Sequence, residues 1–214
     1  MGSAFPRLHV ITDARPGRDA LGVVTAAVSA AIGYQTPDAL AVQVRVEDDV
    51  TDRAAYEFGL AVARICRPAG VMFLVNDRLD VAVAVDADGA HVGADDLPVP
   101  AARAVLGPAA VLGATCREPV SARAAVAAGA TYLGVGPAFR TSTKAGLPEP
   151  LGAAGVAAVA EAVGSAPVIA IGGVSVDEVG ELRARGAYGV AVVGALAVAA
   201  DPEATTTALL KALA

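Results

Sequence analysis

Residues 73–77 read Phe-Leu-Val-Asn-Asp, an apolar run that ends in an amide and a carboxylate. The same pattern recurs along the chain, where short apolar runs end in polar residues or glycine and are followed by helix-like stretches. Eight such runs are typical of a (β/α)8 barrel, in which the carboxyl ends of all strands share one face that carries the active site. The sequence therefore predicts an α/β protein with a single TIM-barrel domain over residues 1–214, and it also predicts where the site lies.

Parallel strands that are covered on both faces are continuously apolar, and the predicted strands have this character. They are expected at 7–12, 40–46, 70–75, 89–93, 109–114, 131–136, 167–172 and 188–193. Helices are predicted at 19–33, 51–66, 119–128, 152–163, 175–185 and 202–213, with shorter ones at 78–86 and 98–106. Thr51 is expected to begin one helix, Gly129 and Gly186 to end two others, and residues 34–39 to form a loop.

The composition narrows the class of protein. The chain has 214 residues, of which 55% are hydrophobic but only 4% aromatic, so that Ala, Val and Leu must fill the core. A net charge of -6 argues against a nucleic-acid partner. No apolar run is long enough to span a membrane, and the first residues, MGSAFPRLHV, lack the charged and apolar regions of a signal peptide. Cys66 and Cys116 are isolated and are expected to be reduced thiols in the cytoplasm. A homo-oligomer is possible, and the sequence does not determine the oligomeric state.

Two carboxylates are predicted to converge at the barrel mouth. Asp77 ends the third predicted strand and Asp96 follows the fourth, so the two side chains should be neighbours. Mg²⁺ is usually held by one or two carboxylates together with substrate phosphates. For either residue alone, the alternative is a helix N-cap.

Glycines and cations at the same face predict anion binding. Gly172-Gly173 follows the seventh strand and Gly194 the eighth, where TIM barrels often bind phosphate through backbone N–H groups. Arg45, Asn76 and Lys144 would supply further donors. Arg45 could instead form a rim salt bridge with Glu47 or Asp48, and Lys144 could be a solvated loop residue.

One strand-to-helix connection is unusually long. Residues 137–150, PAFRTSTKAGLPEP, contain three hydroxyls and a lysine, and a loop of this length in a compact barrel is usually a lid or a ligand clamp. His9 and His91 lie on predicted strands and are expected to be buried structural residues. Cys116 has no nearby histidine in the sequence and is expected to be a passive small residue.

Several of these segments occur together, and in the same order, in one known family. The chain resembles thiamine-phosphate synthase from Leu8 to about Leu210, and the combination of motifs is more specific than any one of them. The matching segments are Ile11-Thr12-Asp13, Gln43-Val44-Arg45, Val75-Asn76-Asp77-Arg78, His91-Val92-Gly93 with Asp96-Leu97-Pro98, Gly136-Pro137 with Phe139, Thr141-Ser142-Thr143-Lys144 and Ala170-Ile171-Gly172-Gly173.

The resemblance implies a transferase that joins hydroxymethylpyrimidine pyrophosphate to hydroxyethylthiazole phosphate and releases pyrophosphate. It implies that Asp77 and Asp96 hold Mg²⁺ as cofactor, and that Arg45, Thr115 and Lys144 have catalytic roles. The implied ligands of the pyrimidine pyrophosphate are Gln43, Arg45, Asn76, Thr115 and Lys144. The implied ligands of the thiazole phosphate are Thr141, Thr143, Gly173, Val193 and Gly194.

The chain also departs from the family's pattern. Glu47 stands where the family has a lysine, and it replaces a donor for pyrophosphate with a like charge. Other departures are Ala94 for a usual Gln, Thr115 for Ser, Arg117 for His and Gly194 for Ser. Arg117 or Arg140 could replace the lost positive charge.

Two other interpretations compete with the synthase. A thiazole tautomerase, a sister family on the same barrel, would carry a histidine at position 137, where this chain has Pro137. A non-catalytic paralogue that binds thiamine intermediates is favoured by Glu47 and opposed by the retained Asn76, Asp77, Asp96 and Lys144.

Overall fold

The computed structural model describes residues 5–141, 143 and 146–214. Within them, every predicted strand and every predicted helix is present, so the sequence-based fold is confirmed. The strands are β1 Leu8–Ile11, β2 Leu40–Val44, β3 Met72–Asn76, β4 Gly89–Val92, β5 Val111–Cys116, β6 Tyr132–Val135, β7 Val168–Ile171 and β8 Gly189–Val192. The helices are α1 Ala20–Gly33, α2 Asp52–Ala69, α3 Leu79–Ala84, α4 Val99–Leu106, α5 Pro119–Ala127, α6 Gly152–Val163, α7 Val176–Ala184, α8 Gly194–Ala197 and α9 Pro202–Leu213.

The strands form a closed, all-parallel barrel in which sequential neighbours pair. Closure occurs where β1 meets β8, with Leu8 opposite Val190 and Val10 opposite Val192. Because all eight strands run in one direction, their carboxyl ends and the loops that follow them surround a single mouth.

Local sequence sets the helix ends. The Thr51 side chain accepts a hydrogen bond from Ala54 N–H at 3.3 Å and begins α2, as predicted. Gly129 and Gly186 follow α5 and α7 with φ of +102° and +91°, a backbone conformation that glycine adopts without a Cβ clash. Both positions therefore end helices, as expected.

Two short segments differ from the prediction. The predicted loop at 34–39 contains a 3₁₀ turn over Pro37–Ala39, in which proline occupies the first position of the turn. A four-residue helix, Gly194–Ala197, follows β8 and has no periodic apolar pattern that would predict it. Such short elements are fixed by their surroundings rather than by propensity.

The core has two shells. The larger one lies between the strands and the helices and is made mainly of Val, Ala and Leu, as the composition predicts. The smaller one fills the barrel interior and contains Ile11, Leu74, Tyr132 and Ile169. Among the described residues, no helix combines the length and apolarity that crossing a membrane requires.

Gly113 on β5 provides a test of how tightly this interior is packed. A Cβ at position 113 would overlap the Tyr132 ring and His91 Nδ1, whereas a Cβ at Gly180 on α7 would meet no heavy atom within 4 Å. We expect Gly113→Ala to lower the free energy of unfolding by about 1–3 kcal/mol through overpacking. Gly180→Ala should leave stability unchanged or raise it by up to about 1 kcal/mol, since alanine is the better helix former. Urea denaturation of both variants measures the difference, and equal stabilities would contradict the packing described.

Candidate active site

Asp77 and Asp96 converge at the mouth, as the sequence predicts. Both carboxylates lie beside Gly93, because a Cβ built at this glycine would be 2.9 Å from Asp96 Oδ2 and 4.0 Å from Asp77 Oδ1. Asp96 Oδ2 accepts a hydrogen bond from Gly93 N–H at 2.6 Å, and Asp77 N–H donates to the carbonyl of His91 at 2.8 Å. These bonds join the ends of β3 and β4 and bring the two carboxylates to one place.

Neither residue is a helix N-cap. The N-cap of α3 is Arg78 and that of α4 is Pro98, and no side chain of a described residue caps either helix. Asp77 has φ of +63°, a left-handed conformation in which Asp is more common than most other residues. Non-glycine residues in this region cluster at functional sites because the surroundings must hold them there.

Arg45 forms a salt bridge at the rim, which was one of the two roles that the sequence allowed for it. Its guanidinium makes a two-pronged contact with Glu47, with Nη1–Oε1 at 2.9 Å and Nη2–Oε2 at 3.4 Å. The Arg45 backbone is held by Thr12, whose hydroxyl accepts from Arg45 N–H and donates to Arg45 C=O, both at 2.8 Å. Glu47 thus contacts Arg45, the residue predicted to bind pyrophosphate, and its negative charge offsets part of the positive charge of Arg45.

Arg78 holds the loop after β2 in place. Its Nη2 donates to the carbonyls of Glu47 and Val50, at 3.3 Å and 2.6 Å, and its Nη1 pairs with Asp52 at 2.9 Å. The arginine of the Asn76-Asp77-Arg78 segment therefore fixes the position of Glu47.

A second charged group lies at the end of β1. The Asp13 carboxylate is 3% exposed and receives both Nε and Nη2 of Arg15 at 2.7 Å, with Arg18 Nε at 3.4 Å. The Arg15 guanidinium holds the pKa of Asp13 below its usual range. Two cations around one carboxylate leave net positive charge at this edge of the mouth.

The barrel interior contains a continuous polar chain below the mouth. Gln43 Nε2 lies 3.2 Å from the Tyr132 hydroxyl, which lies 3.1 Å from His91 Nδ1. His91 Nε2 lies 2.9 Å from Thr115 Oγ1, and Thr115 is half-buried at the mouth. This chain connects Gln43 on β2 with Thr115 on β5 through Tyr132 and His91.

Both histidines are buried, as predicted. Burial lowers the pKa of His91 to about 4, and burial together with the nearby His91 lowers the pKa of His9 to about 3. His9 packs beside Phe5 and Tyr132 at the bottom of the barrel. Both imidazoles are therefore neutral at physiological pH.

The predicted phosphate side brings together the loop after β6 and the start of α8. Thr141 Oγ1 and Thr143 Oγ1 are 3.1 Å apart, and a Cβ at Gly194 would lie 3.2 Å from Thr143 Oγ1. Gly173 has φ of +67°, and a Cβ there would lie 2.9 Å from Phe139 Cβ. Val193 is the N-cap of α8. Lys144 lies outside the described residues, and its predicted role stays a prediction.

Arg117 contacts backbone carbonyls. Its Nη1 donates to Gly136 C=O at 2.7 Å and its Nη2 to Glu149 C=O at 2.8 Å. One side chain on the β5–α5 connection therefore ties together the two ends of the loop after β6. The clamp role of that loop stays a prediction, but its ends are fixed by Arg117.

Tyr132 is the site-related residue that sequence reasoning missed. It begins β6 and is 1% exposed, and its hydroxyl joins Gln43 to His91. The available signal was a polar aromatic residue on a barrel strand close to Gly113 and Gly134, which leave space for a large side chain. Asp13 with Arg15 was missed as an ion pair, although Asp13 was part of a matching motif.

The two cysteines are unreactive by environment. Both are buried and free; burial raises the pKa of Cys66 to about 12 and also raises that of Cys116. The prediction that Cys116 is passive agrees with this environment, because the thiolate is the nucleophilic form.

A closed parallel barrel with paired carboxylates, arginines and hydroxyls at one mouth has the architecture of a TIM-barrel enzyme. Residues 8–196 match the family model described as "Thiamine monophosphate synthase". The chain belongs to this family.

Known relatives agree with this assignment. The chain is 61% identical to a thiamine-phosphate synthase of Salinispora arenicola over 211 residues, which is 99% of each chain. It is 45% identical to a thiamine-phosphate synthase of Haloquadratum walsbyi, covering 92% of this chain and 85% of the relative. The solved structure of a thiamine phosphate pyrophosphorylase from Pyrococcus furiosus superposes with a TM-score of 0.83 at 33% identity, covering 97% and 95% of the two chains.

The Arg45–Glu47 contact generates the first functional prediction. Glu47→Gln removes the carboxylate that engages the Arg45 guanidinium, and Glu47→Lys also adds a cation. We expect the KM for the pyrimidine pyrophosphate to fall about threefold in the first variant and about tenfold in the second, with the KM for the thiazole phosphate nearly unchanged. Steady-state kinetics with Asp48→Asn, an exposed neighbour, as control test this. A higher pyrimidine KM in Glu47→Lys would mean that the carboxylate is needed to hold Arg45 in place.

The Asp13 ion pairs predict a pH-dependent contribution to stability. Because the folded pKa is below the unfolded value near 3.9, the stabilisation is present at neutral pH and is lost as the pH falls through the folded pKa. Asp13→Asn should lower the free energy of unfolding by about 1–2 kcal/mol at pH 7, and this difference should shrink below about pH 4. Urea denaturation at pH 7 and pH 3.5 measures it, with the exposed Asp49→Asn as control. A difference independent of pH would refute the charge-based explanation.

Proposed function

We propose that this protein condenses hydroxymethylpyrimidine pyrophosphate with hydroxyethylthiazole phosphate to give thiamine phosphate and pyrophosphate. The observation that supports the proposal is that two sets of polar side chains lie at one barrel mouth. Asp77 and Asp96 converge between β3 and β4, and the Thr141–Thr143 pair lies across the mouth beside Gly194. Two phosphorylated substrates can therefore bind side by side.

The proposed cofactor is Mg²⁺, and the donors fit this ion. Two carboxylates near one point are the hard oxygen ligands that Mg²⁺ takes when substrate phosphates complete its coordination. In this proposal Asp77 and Asp96 hold the ion, which when bound would offset charge on the pyrophosphate leaving group. The described residues contain no group of three or more His, Cys, Asp or Glu side chains placed to bind a metal alone, so in this proposal substrate oxygens and water complete the coordination.

Arg45 is proposed to stabilise the departing pyrophosphate together with Lys144. The bond between the pyrimidine methylene carbon and the pyrophosphate oxygen breaks, and its electron pair leaves with the pyrophosphate. The resulting pyrimidine cation is stabilised by resonance, and the thiazole nitrogen donates its lone pair to form the new C–N bond. No protein nucleophile is needed, in agreement with the burial that raises the pKa of the Cys116 thiol.

The remaining ligand assignments are also proposals. Gln43, Asn76 and Thr115 would bind the pyrimidine substrate from β2, β3 and β5. Thr141 and Thr143, with the backbone at Gly173, Val193 and Gly194, would bind the thiazole phosphate. Pro137 at the position of the expected tautomerase histidine disfavours the tautomerase.

The proposed compartment is the cytoplasm. The free thiols of Cys66 and Cys116 support it, because isolated reduced cysteines are typical of a reducing compartment.

A product assay tests the proposed reaction directly. The purified protein is incubated with both substrates and Mg²⁺, and thiamine phosphate is measured by mass spectrometry. Formation of thiamine phosphate with equimolar pyrophosphate is expected. Tight binding of both substrates without product would instead support the non-catalytic paralogue.

The metal assignment predicts that excess EDTA abolishes turnover and that added Mg²⁺ restores it. Asp77→Asn and Asp96→Asn should each lower kcat/KM by at least about a hundredfold while circular dichroism shows a folded protein, because each removes one anionic oxygen ligand. Asp95→Asn is the matched control, since Asp95 is exposed beside Asp96 and should retain activity. Full turnover in EDTA, or by both variants, would refute the assignment.

A further inference from the structure

The buried polar chain under the mouth has a direction that its hydrogen bonds determine. Tyr132 is 1% exposed, so its hydroxyl proton has to find an acceptor inside the protein. Among the described residues, two polar atoms lie within hydrogen-bond distance of this hydroxyl, Gln43 Nε2 at 3.2 Å and His91 Nδ1 at 3.1 Å. An amide nitrogen donates but does not accept, so the tyrosine proton must go to His91 Nδ1.

This choice fixes the form of the histidine. A neutral imidazole carries one ring proton, and with Nδ1 accepting, that proton is on Nε2. Nε2–H then donates to Thr115 Oγ1 at 2.9 Å. The Thr115 hydroxyl, as acceptor of this bond, keeps its own proton for another partner. Within the described part of the chain its side chain has no other hydrogen bond, and it is half-buried at the mouth.

We propose that His91 and Tyr132 are positioning residues. Tyr132 holds His91 in the Nε2–H tautomer, and His91 in this form makes the Thr115 hydroxyl a hydrogen-bond donor toward the pyrimidine substrate. The ligand atom it meets would be a lone-pair acceptor, such as a ring nitrogen of the pyrimidine. The identity of this substrate rests on the proposed function. The direction of the hydrogen bonds in the buried chain is independent of the proposed function.

The barrel is built to accommodate this chain. A Cβ at Gly113 would overlap both Tyr132 and His91 Nδ1, and a Cβ at Gly134 would lie 2.9 Å from His91 Cε1. Glycines on β5 and β6 therefore provide the space in which the tyrosine reaches the histidine. Because Nδ1 accepts the Tyr132 proton, it carries no proton of its own, and the His91 imidazole in this chain is neutral.

Histidine ¹⁵N NMR on the wild-type protein tests the tautomer without any substrate. The chain has two histidines, so His91→Gln assigns the remaining signals to His9. The proposal expects a protonated Nε2 and an unprotonated Nδ1 for His91, and a shift toward mixed tautomers in Tyr132→Phe. A protonated Nδ1 in the wild-type protein would overturn the proposal, whether or not the protein makes thiamine phosphate.

A double-mutant cycle tests the positioning role in catalysis. Tyr132→Phe keeps the ring and removes the hydroxyl, Thr115→Val removes the donor, and Thr115→Ser retains it. Tyr132→Phe should raise the KM for the pyrimidine pyrophosphate about five- to tenfold in the Thr115 and Thr115→Ser backgrounds but less than about twofold in Thr115→Val, with the thiazole KM unchanged. Equal effects in all backgrounds would mean that the tyrosine acts only through general packing, which would overturn the role in positioning Thr115.

Discussion

Parallel hydrogen bonding between β1 and β8, from Leu8–Val190 to Val10–Val192, closes the sheet, and the other features of the mouth depend on it. An open parallel sheet would leave edge strands and would place β3 and β6 far apart. Closure puts the ends of all eight strands around one opening. The carboxylates after β3 and β4 and the hydroxyls after β6 can then address two ligands bound together.

The interior shows how the barrel combines packing with polarity. A barrel of eight strands has to be filled by side chains, and polar groups placed there must satisfy one another. Gln43, Tyr132, His91 and Thr115 do so in one chain that reaches the mouth. Deeper in the barrel, His9 is buried among aromatic rings, and its Nε2 has no hydrogen-bond partner within the part of the chain that the structure describes. The polar chain therefore leads toward the ligands, whereas the base of the barrel serves packing.

The charged side chains around the mouth contact one another in ion pairs. Arg45 pairs with Glu47, and Asp13 pairs with Arg15 and Arg18. Arg78 pairs with Asp52 and also donates to two backbone carbonyls. Such pairs hold long side chains in defined positions before a ligand arrives, which lowers the entropy lost on binding. They also reduce the positive charge available to pyrophosphate. The Glu47 variants separate these two effects.

The sequence alone determined the barrel, because continuous apolar runs alternating with helical stretches have few compact solutions. It also located Asp77, Asp96 and the Thr141–Thr143 pair at the mouth, because strand ends share one face. For Arg45 it offered both a pyrophosphate ligand and a rim salt bridge to Glu47 or Asp48 without deciding between them, and it did not give the contacts of Arg117, since long side chains reach several partners from one backbone position. It also did not reveal Tyr132 as the link between Gln43 and His91. Which side chains meet inside a barrel depends on strand register and on the space left by glycines on neighbouring strands, and both are properties of the tertiary structure.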